Sequence, residues 1–410
     1  METVIIKIDS QALVMELGLE TGFFPSTELL HKQETALYSN INQPNSEAAK
    51  LKGAISILKA GGVVAFPTET VYGLAANALD AAAVQGIFSA KQRPSDNPLI
   101  VHVSSIQMLE SLLPPSLPHL PSIYVALINK FWPGPLTILL PKGPHIPNLV
   151  TAGHDTVAVR MPSHPVALGL IAQCGFPLAA PSANTSGRPS PTLAEHVFAD
   201  LHSRIPMIVD GGMCRSGLES TVVDALRNPP AILRPGGITF EQIRLIAGFE
   251  NVTIYNTHFV DKGLEEAPTT PGMKYRHYTP NAEVVLIEIG ANAIKLDETN
   301  CVDPECIRKQ RCLVKIQVEQ ALATRKEGTR VGVLRAGSTI DKYDVCKEAV
   351  EIHLGATAEE IARNLFKGLR DLEQHYCACI IVEGIPDVGH GLAVMNRIRK
   401  ASTHIIQPPT

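Results

Sequence analysis

The segment from Gly62 to Val103 constrains the fold more than any other part of the sequence, because it combines two apolar runs with a helical pattern between them. The first run, 63–66, has the length and β-branched content of a strand, and Pro67 stops it because proline cannot donate a hydrogen bond to a sheet. A helix with Asp80 as its N-cap follows, and a second strand is predicted over 99–103. This order of elements is typical of an α/β fold.

Polar and charged side chains gather where these elements end. Hydroxyls and a carboxylate over 68–70 follow the first strand, the end of the helix carries Lys91 and Arg93, and Asn97 and His102 lie in or beside the second strand. Either cation alone could simply stabilise the helix C-terminus through its dipole, and that alternative stays open. Core packing does not require so many polar groups in one unit, so the cluster predicts a binding site for an anionic ligand rich in oxygen atoms.

Composition limits the function classes. A chain of 410 residues predicts two or three domains, and a net charge of -4 argues against a protein that mainly neutralises nucleic-acid phosphates, although a local basic groove stays open. The 8 cysteines form no Cys-x-x-Cys pair, and Cys377 and Cys379 are predicted to be a reduced, buried pair on one strand face. No apolar run has the ~18 residues of a spanning helix, and the first ten residues do not read as a signal peptide, so we expect a cytoplasmic protein with no membrane contact.

Three later segments repeat the pattern of polar groups at strand ends. The alternating run 156–160 predicts a strand on which Arg160 is suited to bind a carboxylate, with a surface ion pair as the alternative. The loop 177–192 offers hydroxyls and backbone N–H groups to phosphates, with a flexible linker as the alternative. Ser220 and Arg234 lie at two further junctions between loops and strands.

The sequence predicts two domains. The first spans 1–258 and contains a probable insertion at 11–45, and the second is an α/β unit over 282–410. The segment 259–281 between them carries aromatic and basic residues, among them Lys274 and Arg276, and this predicts an ordered linker or lid that lies on something anionic. A solvated spacer is the alternative.

Seven motifs together resemble a known family. AFPTETVYGL, AKQRPSDNPLIVHV, PSANTSGRPSPT, LESTVVD and LRPGG, in this order, resemble the YrdC-like family, while PGMKYRHYTP and GLAVMNRIRKAS are similar to the two-domain form of the threonylcarbamoyl-AMP synthases. The resemblance implies a YrdC-like twisted α/β sheet domain with a basic cavity, plus a smaller Rossmann-like C-terminal domain. One departure is Gln92, which occupies a position often held by glycine.

The resemblance also implies an activity. L-threonine, bicarbonate and ATP would give threonylcarbamoyl-AMP and pyrophosphate, for the threonylcarbamoyladenosine modification of tRNA. Mg²⁺ would arrive with ATP rather than on protein ligands, and no covalent nucleophile is expected. The expected partners are a downstream tRNA threonylcarbamoyl transferase complex and, through a weak contact, tRNA itself.

The resemblance assigns two sets of residues. The expected L-threonine set is Thr70, His102, Arg160, Ala180 through its backbone, and Ser220. The expected ATP set is Lys91, Arg93, Asn97, Thr156, Ser182, Ser190, Arg234 and Tyr278. Lys91 and Arg93 would stabilise charge on the phosphates, and Tyr278 would close over the nucleotide.

Three other interpretations compete with a synthase. A YrdC-like module could grip RNA without catalysis, which would require strongly salt-dependent RNA binding. Carbamoyl-transfer maturation proteins contain a similar domain, but they carry zinc-type Cys-x-x-Cys pairs that this sequence lacks. The second domain could also be purely structural, and the sequence leaves that open.

Overall fold

The computed structural model describes residues 1–16, 46–272, 277–288, 330–336 and 349–407, together with positions 316, 318 and 321. It divides into two compact units, one of Met1–Ser186 with Ser190–Lys274 and one of Gly187–Pro189 with Tyr275–Thr410. The division falls within the segment predicted as a linker. Most of the predicted insertion, from residue 17 onward, and the linker's Lys274 and Arg276 lie outside the described residues.

The first unit is built on a mixed sheet of 11 strands. The strands are β1 Val4–Lys7, β2 Val64–Phe66, β3 Gly73–Asn77, β4 Ile100–His102, β5 Leu136–Pro141, β6 Thr156–Arg160, β7 Leu178–Ala179, β8 Met207–Asp210, β9 Thr221–Asp224, β10 Ala231–Arg234 and β11 Thr253–Ile254. Their spatial order is β1-β8-β2-β3-β7-β4-β6-β5-β9-β10-β11. The sheet therefore brings β4, β6 and β5 side by side in its middle.

Short helices connect these strands. They are α1 Ser10–Glu16, α2 Glu47–Lys50, α3 Lys52–Lys59, α4 Ala81–Lys91, α5 Ile106–Glu110, α6 Val125–Phe131, α7 Asn148–Thr151, α8 Pro165–Cys174, α9 Ala194–Leu201, α10 Phe240–Arg244 and α11 Lys262–Glu266, with a 3₁₀ turn at Ser122–Tyr124. One large apolar cluster packs the inner faces of α3 and α8 against the sheet, with Leu58, Phe66 and Leu170 all fully buried. Burial of such side chains stabilises the unit by about 1.5–3 kcal/mol each.

The helix at the heart of the central segment begins and ends for clear local reasons. The Asp80 carboxylate accepts hydrogen bonds from the backbone amides of Ala82 and Ala83, as predicted for an N-cap. At the other end Gln92 adopts a left-handed conformation with φ 53°, a region that favours glycine. The departure noted in the sequence is therefore a non-glycine C-cap.

The described part of the second unit contains five strands, β12 Glu283–Ile287, β13 Val331–Arg335, β14 Val350–His353, β15 Cys379–Glu383 and β16 His404–Ile406. They form one parallel sheet in the order β14-β13-β15-β12-β16. The helices α12 Ala358–Gln374 and α13 His390–Ala401 accompany it. Thr357 and Glu360 form a capping box at the start of α12.

Gly187–Pro189 are three residues of the second unit that come from the middle of the first unit's sequence. The carbonyl oxygen of Pro189 accepts hydrogen bonds from the Arg370 guanidinium, at 3.2 Å from Nε and 2.5 Å from Nη2. Arg188 pairs with Glu373, and the backbone of Gly187 accepts from the amide of Thr279 at 2.8 Å. Each of the three residues is thus fixed by a polar contact.

The two-domain α/β fold predicted from the sequence is confirmed, but one local prediction was wrong. The chain does not pass directly from the first strand to α4, because 73–77 form β3, which pairs antiparallel with β2. The helical segment 47–59 is divided in two at Leu51. Trp132 is buried, and its indole N–H donates to the Leu136 carbonyl at 2.7 Å. Within the described residues, no helix has the length and apolar content that a membrane crossing demands.

Candidate active site

Three buried polar side chains form a row across the centre of the first unit's sheet. His102 lies opposite Arg160 in the parallel pair β4/β6, and Thr137 lies opposite Arg160 in the antiparallel pair β5/β6. Directly opposed residues project from the same face, so the three side chains share one edge of that face. The preceding row, Ile100, Ala158 and Leu139, is apolar and belongs to a buried cluster. The change from an apolar to a polar row marks where the core ends and the site begins.

Arg160 is the organising side chain of this row. It is 3% exposed, and its guanidinium donates to the Gly134 carbonyl at 3.1 Å through Nε and to the Thr70 hydroxyl at 2.8 Å through Nη1. Its Nη2 lies 2.5 Å from Oε1 of Glu69, which is also buried. The alternative prediction of a surface ion pair for Arg160 was therefore wrong. An ion pair exists, but it is buried, and charge and hydrogen bonding act more strongly there.

The hydroxyls of Thr68 and Thr70 continue this network. The Thr68 hydroxyl donates to the Val71 carbonyl at 2.6 Å, so it accepts in its 2.8 Å contact with the Thr70 hydroxyl. Thr70 in turn accepts from Arg160. The bonds run in one direction from the cation to the carbonyl, and such chains polarise and strengthen one another. The polar run after β2 therefore fixes the orientation of Arg160.

His102 is neutral in this environment. Burial, followed by the nearby positive charge of Arg160, lowers the pKa of His102 to about 3. Its Nδ1 atom is buried and has no hydrogen-bond partner among the described residues. A neutral imidazole can donate or accept one hydrogen bond at each nitrogen, so His102 can offer a polar contact without adding charge.

Ser220 joins the row from the turn before β9. Its hydroxyl lies 2.7 Å from the Thr137 hydroxyl and accepts from Arg234 Nη2 at 3.2 Å. The Arg234 guanidinium also donates to the backbone carbonyl of Ser220, at 2.9 Å from Nη2. This close approach requires glycine at 236, because a Cβ there would lie 2.3 Å from the carbonyl oxygen of Glu219.

The five residues predicted for L-threonine are therefore brought together. Thr70 and His102 adjoin Arg160, Ser220 adjoins it through Thr137, and the Ala180 amide donates to the Ile100 carbonyl on β4 at 2.9 Å. Because that amide is occupied, the backbone group that Ala180 can offer a ligand is its carbonyl. Sequence reasoning missed Thr137, whose position in an apolar strand gave no indication that its hydroxyl faces Ser220.

The cations predicted for ATP hold backbone carbonyls. Lys91 is 1% exposed, and its ammonium donates to the carbonyl of Ser182 and, at 2.6 Å, to that of Asn184. Arg93 donates to the carbonyls of Asn97 at 3.3 Å and of Pro98 at 3.0 Å. Each cation thus holds the loop of another member of the predicted ATP set, Ser182 for Lys91 and Asn97 for Arg93. Their contact with phosphates stays a prediction.

The remaining residues of the ATP set are more scattered. Ser190 donates to Glu219 at 2.8 Å, next to Ser220, and Arg234 also reaches the Pro271 carbonyl at 2.9 Å. Thr156 lies at the opposite end of β6 from Arg160, about 13 Å away at the usual rise of a strand. Its Oγ1 atom is buried without a hydrogen-bond partner among the described residues.

Tyr278 belongs to the second unit. Its side chain is buried there, with its ring centroid 5.1 Å from that of Phe366 and 5.9 Å from the guanidinium carbon of Arg397. A cation at this distance from a ring face is attracted by the ring's quadrupole. The predicted contact of Tyr278 with the nucleotide stays a prediction.

Two family models together match most of the chain. The family model Sua5_yciO_yrdC, described as "Telomere recombination", matches residues 56–236, and the model described as "Threonylcarbamoyl-AMP synthase, C-terminal domain" matches 238–403. A threonylcarbamoyl-AMP synthase of Pyrococcus abyssi is 46% identical over 362 residues, which are 88% of this chain and 96% of the relative. One of Schizosaccharomyces pombe is 41% identical over 433 aligned residues, with 100% of each chain covered.

A solved structure agrees over the same length. The crystal structure of P. abyssi Sua5 complexed with L-threonine has a TM-score of 0.74 and 39% identity, and covers 99% of this chain and 100% of that one. Both the sequence and the fold are thus shared along almost the whole chain. The chain therefore belongs to the threonylcarbamoyl-AMP synthase family.

Proposed function

We propose that this chain is an enzyme that converts L-threonine, bicarbonate and ATP into threonylcarbamoyl-AMP and pyrophosphate. Relatives at 41–46% identity are named for this product, and the P. abyssi relative was solved with L-threonine. The observation that carries the proposal is the buried guanidinium of Arg160 within a cluster of hydroxyl, imidazole and backbone groups. Such a cluster suits a small, polar ligand that carries a carboxylate.

The threonine side of the site follows from these groups. Arg160 binds the α-carboxylate, which matches the planar fork of a guanidinium. The hydroxyls of Thr70 and Ser220, the Ala180 carbonyl and the neutral imidazole of His102 provide donors and acceptors for the threonine hydroxyl and amine. Both substrate ends are then held by groups on neighbouring strands of a rigid sheet.

The chemistry needs positioning more than a protein nucleophile. The ammonium group of threonine first releases one proton to the solvent, and the resulting amine attacks the carbon of bicarbonate, giving an N-carboxylate and water. That carboxylate attacks the α-phosphorus of ATP, a new P–O bond forms, and pyrophosphate leaves with the electrons of the broken bond. Holding the reactants together and stabilising the developing charge can supply most of the acceleration.

ATP enters as its magnesium complex in this proposal. Lys91, Arg93 and Arg234 lie close to the loops that would surround the phosphates, and Asn97, Ser182 and Ser190 supply polar groups from the same loops. Among the residues that the structure describes, no group of three or more His, Cys, Asp or Glu side chains could hold a metal ion. In this proposal magnesium is part of the nucleotide substrate.

The product implies a partner. Threonylcarbamoyl-AMP is a mixed anhydride that water hydrolyses, so an enzyme that transfers the threonylcarbamoyl group to tRNA must receive it promptly. A transferase complex of that kind is the proposed partner, and a weak direct contact with tRNA is a further proposal. RNA binding without catalysis is the alternative function, and the net charge of -4 does not favour it.

The test is pyrophosphate release by the purified chain with MgATP. We expect release only when L-threonine and bicarbonate are both present, with serine much poorer because it lacks the methyl group. Omitting each component in turn is the control. Release that does not depend on threonine would assign the site to another acceptor, and strong salt-dependent RNA binding without any release would support the alternative.

A further inference from the structure

Glu69 is a buried acid that the proposed function does not yet use. It is 5% exposed and sits between the two threonines that orient Arg160. Its backbone carbonyl accepts from the Ser216 amide at 2.7 Å, so the main chain is held in place. The position of the carboxylate within the threonine cluster is therefore fixed rather than incidental.

The carboxylate has fewer partners than a buried charge requires. Oε1 lies 2.5 Å from Arg160 Nη2, but neither Oε1 nor Oε2 has a well-formed hydrogen bond within the described part of the chain. An ionised carboxylate can accept about four hydrogen bonds, and burial without them costs free energy. One oxygen is thus available for a donor that comes with a ligand.

The neighbouring groups do not offer a second fixed cation in direct contact. Burial lowers the pKa of His164 to about 4, and Glu69 and Arg215 act on it only as more distant charges, so this imidazole is neutral near pH 7. Burial, followed by the negative charge of Glu69, raises the pKa of the Cys214 thiol, which is therefore neutral as well. Among the described residues, Arg160 is the one cation within ion-pair distance of the carboxylate.

We infer that Glu69 binds the α-ammonium group of the substrate while Arg160 binds its α-carboxylate. This rests on the proposed function and assigns a recognition role to a residue outside the predicted threonine set. An amino acid is a zwitterion, and the Glu69–Arg160 pair presents the complementary two charges side by side. The site thereby selects amino acids over hydroxy acids, because only an amino acid places a positively charged donor against the carboxylate.

The alternative role for Glu69 is to orient Arg160 only. The two roles differ for a ligand that keeps the carboxylate and hydroxyl of threonine but has no amine. The pair L-threonine and 3-hydroxybutanoate provides this comparison. A purely orienting Glu69 would affect both ligands equally, whereas an ammonium-binding Glu69 affects threonine alone.

The experiment measures the dissociation constants of both ligands by calorimetry for the full chain and for Glu69→Gln, which keeps shape but removes charge. We expect threonine binding to weaken by about 10- to 100-fold, the range for loss of one charge-assisted hydrogen bond, and the 3-hydroxybutanoate constant to change by less than about threefold. Glu265→Gln, on an exposed helix, is the matched control.

Equal weakening of both ligands, or no weakening of either, would overturn the inference. Glu69→Asp retains the charge but withdraws it by one methylene, and it gives the same test if the Gln variant does not fold. Thermal unfolding of each variant identifies that case. If the wild-type protein neither binds threonine nor depends on it for pyrophosphate release, the proposed function itself is overturned. If the wild type depends on threonine but Glu69→Gln leaves the ratio of the threonine and 3-hydroxybutanoate dissociation constants unchanged, this inference alone is overturned.

Discussion

Replacing Lys91 by methionine should destabilise the first unit. The side chain is 1% exposed, and its ammonium donates to the carbonyls of Ser182 and Asn184. Methionine has a similar length and fills the same space, so the substitution removes chiefly the two charge-assisted hydrogen bonds. Both carbonyls then lose a donor in a place that water does not readily reach.

The magnitude follows from these two bonds. Hydrogen bonds to charged groups contribute about 1.5–3 kcal/mol each, so the free energy of unfolding should fall by roughly 3–6 kcal/mol. At about 2 °C per kcal/mol for a unit of this size, the unfolding midpoint should fall by roughly 6–12 °C. Differential scanning calorimetry of the full chain measures both the midpoint and the transition of each unit.

The matched control is Lys50→Met, at a lysine whose side chain is 43% exposed and pairs with Glu47 on the surface. That pair should contribute at most about 1 kcal/mol. A midpoint for Lys91→Met within 2 °C of the control would show that the carbonyl contacts do not hold the loop. The reasoning that Lys91 shapes the loop would then be refuted.

Two further perturbations test buried polar groups of the first unit. Tyr124→Phe removes a hydroxyl that donates to a backbone carbonyl at 2.6 Å and accepts from an amide at 2.9 Å. Urea unfolding should therefore show that the free energy of unfolding falls by about 1–3 kcal/mol. The control Tyr376→Phe, at a tyrosine that is 85% exposed, should show no such loss. Equal midpoints for the two would contradict this expectation. Burial is the main cause that lowers the pKa of the His164 ring to about 4. Between about pH 4 and 6.5 this ring therefore binds fewer protons in the folded protein than in the unfolded chain. Its contribution to the free energy of unfolding should fall by about 3 kcal/mol as the pH falls through that window. His102, with its pKa lowered to about 3, contributes a similar loss over the same window. His164→Asn keeps an acceptor for the Val166 amide and should therefore remove about half of the pH dependence, and an unchanged slope in urea titrations from pH 7 to 4 would exclude His164 as one of its sources.

Strands and helices with a strong local pattern were predictable from the sequence. The alternation that marked β6 and the Asp80 N-cap of α4 depend on neighbours in sequence, and both were found where expected. The strand β3 was missed because Gly73 and the small residues after it do not show alternation, and its pairing with β2 and β7 is decided by the sheet. Tertiary context overrides propensity in such strands.

In the site, too, local sequence predicts some features and tertiary pairing decides the others. That Arg160 and His102 are polar residues at the ends of apolar strands was visible in the sequence, but that they lie opposite one another is decided by the pairing of β4 with β6. That Thr137 lies beside them depends on β5 pairing antiparallel with β6, which no local pattern specifies. The pairing of Glu69 with Arg160 depends on two segments 91 residues apart meeting in space, and only the fold provides that contact.

The segment Gly187–Pro189 has a consequence for the order in which the protein matures. These residues lie between Ser182 and Ser190, yet the donor for the Pro189 carbonyl is Arg370, 181 residues later in the chain. A ribosome that has just made the first unit's strands has not yet made this donor, nor Glu373, which pairs with Arg188. Arg188 and Pro189 therefore gain these contacts only near the end of synthesis. Completion of the loop is a late event in biogenesis, and a nascent chain stalled before residue 370 would expose it unsecured.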